Sequence, residues 1–234
     1  MSEIHISLVA ETIFRLGPLA INNSMLVTWL VTIAIIIFIR LSLTNKKVWD
    51  VAEMIFEGLL NFFEQIVGKN AREFFPLVST FFIFILLGNW SGLVPGISTI
   101  GFHTIDHGKE VFVPLLRGAT ADLNTTLALA IISVVSIHYF AFKHLGLNKY
   151  VVSRFINPIG ILELMADVAK IMSFAFRLFG NIFAGEVLLT VIAFLMPVIA
   201  PLPFMGLELF VGLVQALVFS LLTLIFLNTA IEAH

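Results

Sequence analysis

Residues 24–39 read SMLVTWLVTIAIIIFI, with no charged side chain before Arg40. A helix rises about 1.5 Å per residue, so about 20 apolar residues cover the roughly 30 Å of bilayer hydrocarbon. With its flanks this stretch reaches that length and predicts a membrane-spanning helix over 24–43. Outward from it, charge-poor stretches recur at 76–95, 123–142, 158–196 and 201–231, the last two broken by a few charges. Between the first two, Val48, Val51, Ile55, Leu59, Phe62 and Ile66 repeat at helical spacing, with Asp50, Glu53, Glu57 and Glu64 on the other side. That segment, 47–68, predicts an amphipathic helix lying along the membrane surface.

The expected fold class is therefore an all-α membrane protein in a single integral membrane domain over 1–234: five membrane-embedded helices plus the surface helix. The last two are too long for upright spans. About 38 helical residues reach roughly 57 Å, so both are expected to be strongly tilted and to form a hairpin. Pro197, Pro201 and Pro203 mark the turn between them.

Composition agrees. Hydrophobic residues make up 59% and charged residues 12% of the chain, and 24 Phe stand against 2 Tyr, as suits rings facing lipid where a phenol would need a partner. The net charge of −2, with cations scattered, offers no basic patch and excludes nucleic acid as a partner. Without cysteine there is no disulfide framework or thiolate metal site. Glu3 and Glu11 sit where a signal peptide would be basic, so the first apolar block is expected to stay. Arg40, Lys46, Lys47, Lys69, Arg72, Lys143, Lys149 and Arg154 occupy the 40–75 and 143–157 connections, while the N-terminal segment and the 95–122 loop hold only Arg15, Lys109 and Arg117. The positive-inside rule then puts the N-terminus outside and the C-terminus in the cytoplasm.

Chemistry concentrates in LELMADVAKIMSFAFRLFGNIFAGE, residues 162–186. Arg177 stands there in apolar surroundings, with no acid within one turn. A guanidinium does not shed its proton, so it is a fixed cation whose placement costs at least about 2.5–3.5 kcal/mol and marks a functional site. Glu163, Lys170 and Arg177 are spaced by sevens and fall in one stripe, with Ser173 and Asn181 beside it. Glu186, nine residues beyond Arg177, points to the opposite side. Two polar faces on one helix suit two separate aqueous paths. Glu208 and Gln215, also seven apart, share a face of the last helix. An antiparallel partner could bring Gln215 beside Arg177 and Glu208 near Glu186, where two carboxylates would share a proton.

Other polar residues are less specific. Asn124 reads equally as a helix cap or a channel-lining group, and Asp122 as solvated or channel-lining. His138, within a span, could relay protons or hydrogen-bond a neighbouring helix. The run HTIDH, with His103, Asp106 and His107, is more often solvated than a metal site, so no metal and no cofactor are expected. P-loop, dinucleotide, HExxH and nucleophile-elbow motifs are all missing from the sequence.

At these residues the chain resembles subunit a of the F-type ATP synthase. RLFGN (177–181) followed by AGE (184–186), and LVQALVFSLLTLIFLNTA (213–230), resemble two signature segments of that family, and ADLNTTLALA (121–130) a third. NNSMLVTWLV and the surface helix are also similar, though less distinctive. The resemblance implies a stator subunit of the membrane sector, without catalysis of its own, in which Arg177 faces the carboxylate of the rotating c-subunit ring. Asn181, Glu186, Glu208 and Gln215 match positions lining or adjoining two proton half-channels, with Asp122, Asn124, Lys170, Glu163, Ser173 and His138 as secondary channel candidates. Members often pair an acid with a histidine where this chain has Glu186 and Glu208, so the outer relay departs from the family pattern. The implied partners are the c ring, b-type peripheral stalk subunits, the rest of the synthase and the lipid bilayer of a bacterial plasma (inner) membrane. Protons are the expected ion and Na⁺ the alternative. Two other classes fit a lone intramembrane cation: a secondary transporter binding an anionic solute, and a structural or quinone-binding subunit of a respiratory complex.

Overall fold

The computed structural model describes residues 10–17, 19–94, 100–106, 109–146, 158–196 and 199–232. Among the described residues six α-helices carry the fold: α1 Asn23–Thr44, α2 Lys46–Val67, α3 Ala71–Ser91, α4 Leu123–Leu145, α5 Pro158–Leu195 and α6 Pro201–Glu232. Among the described residues five stretches are long and apolar enough to cross a membrane, α2 and α3 counting as one continuous stretch. The chain is an all-α membrane protein with multiple spans.

Local chemistry sets the breaks. Asn45 adopts an extended conformation, and its side chain accepts from the amide of Lys47 at 3.1 Å, ending α1 and capping α2. Gly68, at φ 70°, closes α2 in a backbone region that costs a residue with a Cβ dearly. Pro201 and Pro203, expected in the turn, instead occupy the first turn of α6, where a missing amide hydrogen leaves no intrahelical bond unmade. Pro197 lies outside the described residues.

Two short antiparallel hairpins were not expected. β1 (Thr12–Leu16) pairs with β2 (Leu19–Asn22) before α1, and β3 (Gly101–Asp106) pairs with β4 (Lys109–Pro114) between α3 and α4. Their strands are four to six residues long, too short for alternation to stand out beside the long helical stretches.

The chain clusters into two compact units, and the long helices contribute residues to both. The first comprises Met1–Ile37, Phe84–Thr125 and Leu178–Gln215. Its core is Val27, Val31 and Ala119, with Ile35, Phe84, Leu87 and Leu116 packed around them. Gly92 and Gly118 let two backbone segments nearly touch: a Cβ at 92 would lie 3.3 Å from the Gly118 Cα.

The second unit comprises Phe38–Ile83, Thr126–Arg177 and Ala216–His234. Phe63, Phe74, Val78, Ile137, Leu224 and Leu227 are at its centre. Ser133 and Thr223 share a buried hydrogen bond of 2.8 Å between α4 and α6, and Glu73 on α3 meets Lys143 and His144 at the end of α4. Helix α2 packs on this core through Leu59, Phe63 and Val67, whereas Val51, Ile55, Phe62 and Ile66 remain exposed. At about 100° per residue its apolar arc is wider than the protein covers, and the exposed part adjoins the packed part. That geometry suits a helix in contact with core and lipid together.

Candidate functional site

In the first unit a cavity of about 100 Å³ is lined by Asn89, Ile182, Glu186, Thr190, Glu208 and Gly118, among others. It is ample for at least one water, which needs about 10–15 Å³ of such space. Both glutamates singled out by sequence therefore reach one space, as the helix phase suggested.

Their partners differ. Glu186 is gripped by Arg117: Nη2 donates to Oε2 at 2.9 Å, and Nε lies 3.2 and 3.1 Å from the two oxygens. The arginine side chain is 7% exposed and that of Glu186 38%. Sequence reading counted Arg117 only as a loop cation. It is carried inward because Ala119, Thr120 and Ala121, the tight turn before α4, are themselves fully buried. Sixty-nine positions separate the pair, so no local spacing could have revealed it.

Glu208 is buried and meets no cation among the described residues. Its carboxylate lies where a Cβ of residue 185 would be, so any larger residue at 185 has to push the end of that side chain aside. Two contacts hold this turn of α6 against α3: Asn89 Nδ2 donates to the Gly212 carbonyl at 2.9 Å, and Trp90 Nε1 to that of Leu209 at 3.0 Å. Gly185→Ala is expected to displace the Glu208 side chain, with a net stability change within about 1 kcal/mol because Ala is the better helix former, and a Glu208→Ala second change is expected to make the alanine at 185 stabilising. Thermal unfolding of single and double variants in detergent measures this.

Gln215, expected beside Arg177, is buried and accepts from Asn181 Nδ2 at 2.9 Å. Asp122 is not solvated. Its Oδ2 accepts from Ser24 at 2.9 Å, and its Oδ1 accepts from the Asn124 amide at 3.0 Å. The cap of α4 is thus Asp122, not Asn124, because the N-cap side chain must reach forward two residues to an unpaired amide.

In the second unit, Arg177 lies on an exposed side of α5 next to exposed Met172 and Phe176. Its Nη2 donates to Ser173 Oγ at 3.2 Å, and among the described residues it forms no ion pair. The buried Phe174 ring meets those of Phe219 at 4.9 Å and Phe226 at 6.0 Å, both tilted, seating this part of α5 on α6, while Arg177 is exposed.

Farther back on α5, sequence reading missed Asp167. It is buried, with Lys170 Nζ 3.0 Å from Oδ1 and His138 Nε2 of α4 3.3 Å from Oδ2. His138 thus reaches a neighbouring helix, one of the two readings open for it. Lys170, placed in the arginine stripe by spacing, is bound to Asp167 and lies over the Phe226 ring at 4.8 Å. Glu163 is half-buried one turn before Asp167. His107 and the side chains of His103 and Asp106 lie outside the described residues, among which no metal-binding cluster occurs.

The model of the family described as ATP synthase A chain matches residues 24–228. The chain belongs to that family. Two curated members are similar over nearly their whole lengths. ATP synthase subunit a of Moorella thermoacetica is 32% identical, covering 95% of this chain and 96% of the relative. ATP synthase subunit a 2 of a Bradyrhizobium species is 31% identical, covering 96% and 95%. The span matched to the ATP synthase A chain runs from α1 into α6 and takes in Arg117, Asp167, Arg177, Glu186, Glu208 and Gln215.

Proposed function

We propose that this ATP synthase A chain is the stationary, proton-translocating subunit of the membrane sector, and that Arg177 faces the ring carboxylate of a rotating c-subunit ring. The observation that carries the reading is a guanidinium on an exposed side of a long apolar helix, oriented by a neutral hydroxyl and joined to no acid of its own chain among the described residues. A partner from outside the chain must then supply the counter-charge, since an ion in hydrocarbon without one is costly.

The proton path follows from the partners. Among the described residues Glu208 has no cation beside it and Glu186 has Arg117, so the entering proton is held on Glu208 at the small cavity that both line. From there it neutralises a ring carboxylate, which moves with the rotor through lipid and releases its proton to a second path open to the cytoplasm. Arg177 attracts the ionised ring carboxylate and repels a proton hopping between paths, so flow requires rotation. The setting is a bacterial plasma membrane, N-terminus outside and C-terminus cytoplasmic, with b-type stalk subunits holding the chain still. Two helices of 38 and 32 residues are long enough to lie steeply tilted around the ring.

The natural sequence has no cysteine, so single cysteines report position cleanly. In the assembled complex, cysteine at exposed Phe176 or Met172 is expected to form a disulfide with a cysteine beside the acid of the ring subunit, and cysteine at buried Phe174 is not. Crosslinks from 172 and 176 only to a redox subunit would discard the reading.

A further inference from the structure

Helix α2 begins with two lysines whose surroundings differ. At about 100° per residue, a side chain shares its face with those four and seven positions farther on. For Lys46 these are Asp50 and Glu53, so it stands on the acidic side of the helix. For Lys47 they are Val51 and Met54, which are 49% and 67% exposed. A cation thus stands within the apolar arc that the protein leaves uncovered, and Ile55, Phe62 and Ile66 continue that arc. On the other side of the Asn45 junction, exposed Arg40 lies one turn from the end of α1, amid exposed Ile39, Leu41 and Leu43. All of these residues belong to the second unit. Among the described residues neither Arg40 nor Lys47 forms an ion pair.

An apolar face settles into lipid, and a lysine or arginine in such a face extends its stem along the apolar surface to bring its charge to the polar headgroups. The spanning stretch of α1 ends at Thr44, so Arg40 and Lys47 stand within a few residues of the end of a span, where headgroups lie. We propose that the α1–α2 junction binds anionic phospholipid, Arg40 and Lys47 holding the headgroup and Val51, Met54 and Ile55 the acyl chains. A zwitterionic lipid offers the same phosphate but brings its own ammonium, so the two cations favour a headgroup of net negative charge. Asp50, Glu53 and Glu57 occupy the neighbouring side of α2 and keep an anion from that side. This surface shares no residue with the cavity of Glu186 and Glu208 or with Arg177, and the inference stands whether or not the chain moves protons as proposed.

Lipid contact can be read at Met54 itself. In the purified complex reconstituted into bilayers, Met54→Cys carrying a fluorophore is quenched by spin-labelled phosphatidylglycerol or phosphatidylcholine, and the ratio of the two gives the headgroup preference. At low salt it is expected to favour phosphatidylglycerol by about tenfold. A Lys or Arg near an anionic headgroup is worth about fivefold, so Lys47→Gln should lower the preference to about twofold, and Arg40→Gln with Lys47→Gln to parity. Lys47→Arg should keep it, and Lys46→Gln, on the acidic side, should change it by less than about twofold. Salt at about 1 M, which cuts the screening length to about 3 Å, should shrink it. Inorganic phosphate at matched ionic strength should not compete, because it lacks the acyl chains that the arc holds. Equal quenching by both lipids, a preference unchanged in the double variant, or a loss as large in Lys46→Gln overturns the proposal. So does quenching by neither lipid, which would mean that another protein covers the arc.

Discussion

Arg177→Ala is expected to bring ATP-driven proton pumping down to background while the subunit still inserts and assembles. A unit charge pair about 4 Å apart at an effective dielectric of about 20 is worth about 4 kcal/mol, roughly a thousandfold in occupancy, and the alanine variant forfeits that attraction for the ring carboxylate. Passive leak should rise at the same time, since the cation that repels a hopping proton is gone. Arg177→Lys is expected to rescue poorly: an ammonium can shed its proton in apolar surroundings, and it lacks the planar fork that reaches Ser173 and a carboxylate together. Inverted vesicles with a pH-sensitive dye measure pumping, and blotting of purified complexes measures assembly. Coupled pumping in the alanine variant would end the proposed role.

Glu186→Gln is expected to act through Arg117. Removing the acid from a fully buried pair costs about 3–5 kcal/mol; here the glutamate side chain is 38% exposed, and about 2 kcal/mol is the better expectation. Proton uptake from the outer side should fall with it, because Glu186 lines the cavity shared with Glu208. Arg117→Met combined with Glu186→Gln should regain most of the stability and little of the uptake, since an apolar side chain can replace a buried ion pair but not a wet one's function. Unfolding in detergent and pumping in vesicles separate the two effects. Equal stability of the single variant and the natural chain would show that the pair is only a surface contact.

The helices could be read from the sequence because lipid demands it: a backbone in hydrocarbon must satisfy itself, and apolar runs of sufficient length leave only one solution. α1 runs Asn23–Thr44 and α5 Pro158–Leu195, whereas α3 runs Ala71–Ser91, beginning about five residues before the apolar run at 76–95 because Ala71, Phe74 and Phe75 pack into the core. Arg177 stands out in the sequence for the same reason, as a charge conspicuous against that background, and its role is the one proposed above. Pairings were not. Arg117 finds Glu186 across 69 positions, and His138 meets Asp167 from another helix. Periodicity reports which side of a helix a residue takes, and says nothing of what sits opposite. Lys170 shows the limit well: its phase put it with Arg177, but an acid three residues earlier claims it. The hairpins escaped because a strand of four to six residues alternates too few times to register.

The 3.2 Å bond from Arg177 to Ser173 separates two properties that most tethers combine. An acid in place of that hydroxyl would aim the side chain equally well but would cancel its field. An uncharged anchor narrows where the guanidinium can swing and leaves its full positive charge available, so in the proposed role the same residue releases one visiting acid and greets the next without first breaking an ionic bond at home.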